Sequence, residues 1–303
     1  MSLTISAGQV AAFIANPTSF AGYSSGGYVK IDGAIDYSVA SSLNAVPATY
    51  IEASILETTA ANLIGIAVNN STRNTLNKFS FALSETAATA AELNSIVAKT
   101  SVAPDFSKIT LIEASDAAAI KTLYTSTTTG LQDGEAIKVN DIAINAKDLN
   151  TINGYTTGLV TPTAATSITG EVSDVKSLLD TLVNQVTASQ LGITLANNKT
   201  TLPITITDAT VDATKLLAVV GHAAHNALVT VTSTTISGPK ADISSNLLSA
   251  STVVTGLDAI NVVPSEATIT AADQLGFAAN TTGKITAKIA QGTFAGGRDV
   301  NGN

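Results

Sequence analysis

Cysteine and tryptophan are both missing from the 303 residues, and methionine occurs once. With no cysteine there is no disulfide scaffold, no zinc–thiolate module and no thiol nucleophile. The same absence suits a bacterial or archaeal exported protein, or a cytosolic one, better than a eukaryotic secreted protein of this size. Aromatic residues amount to 4%, too few for a core built round large rings or for an aromatic platform that stacks sugars. Charge is equally scarce, at 13% against roughly 25% in ordinary soluble domains. The net charge is -8 and no basic run exists, so nucleic acid, which needs clustered Lys and Arg, is a poor partner. The longest apolar stretches, 63–68 and 216–220, fall far short of the ~20 residues that span a bilayer. The opening MSLTISAGQVAAFIAN has neither the basic start nor the long apolar centre of a cleavable signal peptide.

What the chain does have is apolar content, at 45%, enough to bury a core and to rule out disorder. It also has internal repetition, which decides fold class before any local pattern does. Residues 269–286, ITAADQLGFAANTTGKIT, align without a gap on 144–161, INAKDLNTINGYTTGLVT. A looser copy covers 211–230, with two residues inserted before Val229. Another covers 112–130, with four extra residues ahead of Thr128-Thr129-Gly130. The shared frame is Ile-x-Ala-x-Asp, an apolar residue (Ile152 or Phe277), then Thr-Thr-Gly. Thr270 is a good helix N-cap, and Asp273 three residues on can reach back to the cap amide and favours the positive end of the helix dipole. Gly283 is expected as a left-handed helix stop, and Lys284–Ile289 alternates as a half-buried strand does.

A second half-unit follows. Ile168-Thr169-Gly170 matches Ile236-Ser237-Gly238, each with an Asp four residues beyond the glycine, at Asp174 and Asp242. Ile5-Ser6-Ala7 followed by Ile31-Asp32-Gly33 is the N-terminal version of the pair. The expected fold is therefore an α/β repeat, a solenoid-like stack of short strands and short capped helices. An all-β sandwich series, with the helix-like segments as loops, is the alternative. The organisation expected is degenerate repeats over 1–110 and clearer strand–helix repeats over 111–303, in one continuous body.

These steps resemble the degenerate Ala/Thr/Val-rich repeat regions of large bacterial extracellular proteins of S-layer-like, adhesin-like and RTX-type secreted kinds. The resemblance implies export without a cleavable N-terminal signal and a place outside the cell or on its surface. The calcium-binding glycine–aspartate nonapeptide of such proteins has a single faint counterpart at 296–303, which is not repeated, so a calcium roll is not expected.

Few residues offer chemistry. The acids Asp116, Asp148, Asp174, Asp242 and Asp273 recur at matching positions, and first-turn capping explains each without a ligand. Asp133, Glu135 and Asp141 form the densest acidic patch and are the best candidates for a metal, which would be calcium, although the EF-hand ligand order is missing. His222 and His225 stand three apart, which would face both rings one way on a helix, but a structural place near a helix end accounts for them. There is no Gly-x-Ser-x-Gly elbow, P-loop or dinucleotide fingerprint. The expected function is thus non-catalytic: a self-assembling extracellular structural protein, a filament or surface-layer subunit whose partners are copies of itself. An adhesin-type binding module for carbohydrate or calcium is the alternative.

Overall fold

The computed structural model describes residues 2–25, 27–43, 46, 50–66, 77–126, 130–184, 191–193, 199–224, 228–248 and 253–290. His225, Thr128-Thr129 and the glycine-rich segment 296–303 lie outside them. The chain divides into two compact units. One comprises Met1–Asp141, Thr151–Ala164 and Gln190–Gly192; the other comprises Ile142–Asn150, Ala165–Ser189 and Ile193–Asn303. The division thus lies beyond residue 110 and is not a single cut in the chain.

The first unit holds two four-stranded sheets, both parallel. Strands Ser2–Ser6, Tyr28–Ile35, Tyr50–Ile55 and Lys78–Ser80 lie side by side in chain order. So do Ala87–Thr89, Leu111–Ser115, Ala136–Val139 and Val160–Pro162. Parallel neighbours need a crossover of a dozen or more residues. Short helices such as Tyr37–Leu43, Ala90–Val97 and Ala117–Thr125 supply it.

The second unit has a five-stranded parallel sheet of Ala143–Asn145, Ser167–Gly170, Ile204–Ile206, Val229–Val231 and Val254–Thr255. A three-stranded one runs through Thr210–Asp212, Thr235–Gly238 and Asn261–Pro264. Helices Val172–Asn184 and Ala213–His222, the π-helical Asp242–Leu248 and helix Ala271–Ala278 pack one on the next. Helix Ala146–Asn153 straddles the division between the units. The architecture is mixed α/β with several parallel sheets, so the segments read as helices are helices and the all-β alternative falls away.

The core follows from the register. Ile144 faces Ile168, which faces Ile204, then Val229, then Val254. All five are buried, as β-branched side chains in covered parallel strands are expected to be. The three repeat leaders Ile144, Val211 and Ile269 are in equivalent places. Each is buried, stands two residues ahead of the helix that begins at Ala146, Ala213 or Ala271, and pairs with a downstream partner: Ile168, Ile236 or Ile289.

Two reasons for glycine largely separate at four positions, whereas Gly130 and Gly256 combine them, with φ of 67° and 88° and a Cβ that would lie 1.8 Å from the Pro104 and 2.0 Å from the Val231 carbonyl oxygen. Gly170 and Gly238 have φ of 152° and 144°, and a Cβ there would sit 3.5 Å from Ala146 Cβ and 3.0 Å from Ala213 Cβ. The positive φ demands glycine at both positions, and at Gly238 the close approach to Ala213 adds to it. Gly283, expected as a left-handed stop, is not one. A Cβ at Gly283 would lie 2.0 Å from the Ile260 carbonyl oxygen, and one at Gly158 would lie 2.3 Å from that of Glu135. Packing against an earlier carbonyl, not backbone conformation, requires these two.

The threonine ahead of each explains the rest of Thr-Thr-Gly. Thr156 Oγ1 donates to the Glu135 carbonyl at 2.6 Å and accepts from the Gly158 amide at 2.9 Å. Thr281 Oγ1 does the same with the Ile260 carbonyl at 2.9 Å and the Gly283 amide at 3.1 Å. Thr100, in a segment without the motif, repeats it with Phe79 at 2.6 Å and Val102 at 3.2 Å. Buried hydroxyls are usually paired, and here each one ties its loop to a segment 21 residues earlier.

Candidate functional site

The recurring acids cap helices, in two ways. Asp116 is itself an N-cap, accepting from the Ala119 amide at 2.7 Å. Asp273 completes a capping box with Thr270, and Lys240 Nζ lies 2.8 Å from its carboxylate. Lys240 foremost, and then the Thr270 amide and hydroxyl, pull the Asp273 pKa down to about 2. Asp148, Asp174 and Asp242 lie in first turns, where a carboxylate favours the positive end of the helix dipole.

A second set was invisible in sequence. The first amide of one helix donates to a side chain from the following strand–helix unit: Ala60 to Glu85 at 2.8 Å, Ala90 to Ser115 Oγ at 2.9 Å, Ala117 to Asp141 at 2.8 Å, Val172 to Asp208 at 2.6 Å and Lys240 to Glu266 at 3.0 Å. The partners are 24–36 residues apart in the chain, so no local motif reveals them.

Asp141, one of the three metal candidates, is therefore occupied as a cap on the helix Ala117–Thr125. The other two candidates, Asp133 and Glu135, flank a recess of about 430 Å³ lined by Tyr124, Asp133, Gly154, Tyr155, Thr156 and Thr157. Tyr124 and Tyr155 stack at a centroid distance of 5.0 Å and an interplanar angle of 7°. Two of the six tyrosines thus meet in a chain poor in aromatics. Glu135 is 1% exposed. Its carboxylate accepts from the Gln132 amide at 2.7 Å and the Tyr124 hydroxyl at 3.1 Å. Asp133 is exposed, with φ of 65°, the one non-glycine residue with positive φ among the described residues. Burial first, and then the charge of Glu135 and its hydrogen bond, hold the Tyr124 hydroxyl well above the ordinary phenol pKa, and the charge of Asp133 adds to them. Among the described residues no three His, Cys, Asp or Glu side chains come together as a metal-binding group.

His222 ends its helix, as the spacing suggested, but its ring finds a carboxylate rather than free carbonyls. Nε2 lies 3.3 Å from Asp180, which Lys176 also holds at 2.6 Å. Lys176 first and His222 next keep that carboxyl below its usual range. Another recess, of about 370 Å³, lies on the first sheet, where Lys30 stands opposite Glu52 and Glu52 opposite Lys78. Tyr28 donates to Glu52 at 2.5 Å, and this bond pushes its hydroxyl up to about 12. Opposite charges facing each other across strands stabilise a sheet, and that role accounts for the cluster.

The end of the described chain stands apart. Helix Ala271–Ala278 buries Phe277 alone, while Leu275 is 71% and Ile289 47% exposed. Asn94 and Asn150, the latter aligned with Leu275, donate to the carbonyls of Ala119 and Asp174 in the following unit. Among the described residues nothing downstream takes that place for Leu275. At the other end the first charged residue is Lys30, and strand Ser2–Ser6 has a neighbour on one side only among the described residues. No described helix is long and apolar enough to cross a membrane. Set against known proteins, the chain matches no family model, no curated protein and no solved structure.

Proposed function

We propose that this chain is a non-catalytic, self-assembling structural protein of the cell exterior, a filament or surface-layer subunit built as a solenoid-like stack of strand–helix units. One observation carries the reading: the exposure of the large apolar side chains Leu275, on helix Ala271–Ala278, and Ile289, in the segment after it. Among the described residues, helices Ala90–Val97, Val172–Asn184 and Ala213–His222 each pack on the helix that follows, and a stack of such units has ends that invite further addition. The charge-free stretch before Lys30 supplies a second surface with no charge to desolvate. Contact between two unlike faces is heterologous, and it propagates into a filament or lattice unless its rotation closes a ring.

Sedimentation velocity and negative-stain microscopy across protein concentration, with and without calcium, test this. Concentration-dependent polymers that Leu275→Asp combined with Ile289→Asp abolishes are the expected result. A monomer at every concentration in both conditions would overturn it. The binding-module reading, for carbohydrate or calcium, would then be the better one, and the recess beside Tyr155 favours it.

A further inference from the structure

Glu135 presents an electrostatic imbalance. A fully buried carboxylate is costly unless a positive charge compensates it. Two hydrogen bonds satisfy its oxygens, yet among the described residues no lysine, arginine or histidine forms an ion pair with Glu135 or with Asp133. Asp133 lines the recess together with Tyr124, whose hydroxyl Glu135 holds from behind. The stacked pair leaves each ring one face that the other does not cover. The recess, at about 430 Å³, lies within the size range of small-ligand sites, roughly 300–1,000 Å³.

We propose that this recess binds an organic cation, an ammonium or guanidinium group, seated against the Tyr124–Tyr155 pair and beside the Asp133 carboxylate. An aromatic face attracts a cation through its quadrupole, and the exposed carboxylate of Asp133 contributes an ion pair. Glu135 acts from behind, through the Tyr124 hydroxyl. The group can arrive on a free amine or on a basic side chain of another protein molecule. This site is independent of the assembly proposed above, since neither Leu275 nor Ile289 takes part.

Titration of the full chain with tetramethylammonium chloride and with guanidinium chloride, each against sodium chloride at equal ionic strength, tests it. Tyrosine fluorescence is a clean probe because there is no tryptophan, and calorimetry gives the heat. Saturation at about millimolar concentration is expected, a typical strength for a few weak contacts. Asp133→Asn should weaken it by about two- to fivefold without unfolding, because asparagine tolerates positive φ as well as aspartate does. Tyr155→Phe keeps the ring and should bind as before, whereas Tyr155→Leu should not bind. Protein of low concentration, with no second copy nearby, should still bind the free amines. Binding seen only with peptides bearing Lys or Arg would place the source on a protein. No saturation with either the free cations or such peptides would overturn the proposal, as would equal binding by Asp133→Asn. Equal binding of neutral tert-butanol or of glucose would also overturn it. A saturable calcium heat lost in Asp133→Asn, with no organic-cation binding, would reassign the carboxylates to a metal.

Discussion

Helices Ala213–His222 and Ala271–Ala278 belong to the same unit, begin two residues after equivalent buried leaders and carry side-chain N-caps, Asp212 and Thr270. The first buries Ala213, Leu216 and Val219; the second buries Phe277. The first has a following segment over it: Gly238 sits on Ala213, and Thr214 donates to Asp242 at 2.7 Å. The second has no described neighbour on that side. Capping and helix formation are local, so both helices form. Burial belongs to the neighbour, so only one is covered.

The contrast can be broken most sharply by truncation. Leu216→Ala should cost about 2–5 kcal/mol, the usual range for a fully buried leucine, whereas Leu275→Ala should change stability by no more than about 0.5 kcal/mol. Urea melts of dilute, unassembled protein measure both, and equal costs would mean that the last helix is covered in solution. Next in size is the glycine pair. Gly283→Ala drives a methyl against the Ile260 carbonyl and should cost about 1–3 kcal/mol, the usual overpacking penalty. Gly276→Ala, in the same terminal helix with nothing within 4 Å of its Cβ, should stabilise by up to about 1 kcal/mol. The smallest effect is in pH. Asp273 has its pKa lowered from 3.8 to about 2 in the folded chain, so its contribution is fully present above about pH 4 and is lost as pH falls toward 2. Amide exchange over 270–277 should accelerate through that window while the amides of Leu216 and Val219 stay protected. Lys240→Gln should move the carboxyl titration, followed by NMR, back toward 3.8.

Much of this was legible. Thr270 with Asp273 forms the capping box its spacing announces, because a cap is a contact within four residues. Asp133 and Glu135 stood out by their density, but Tyr124, whose hydroxyl Glu135 accepts from, and Tyr155, which lines the recess with Asp133, come from other elements. Asp141 read as a free acid because the amide it accepts from, Ala117, is 24 residues back. His222 gave no hint of Asp180, which belongs to the preceding helix.

The residues alone determined much of the local grammar: many of the strands, which positions cap, which apolar side chains share a face, and that the pattern repeats. Those features depend on backbone preferences and on periods of two and 3.6 residues, which a single chain segment carries in full. Lys284–Ile289, which reads as a half-buried strand, instead forms isolated bridges at Ile285 and Ile289 and is largely exposed. Only the tertiary structure decided which carbonyl each threonine binds, which glycines are left-handed and which are crowded, which acids cap a different helix, and where a buried carboxylate meets two stacked rings. Most of these depend on the distance between segments well apart in the chain, and that distance is fixed by packing.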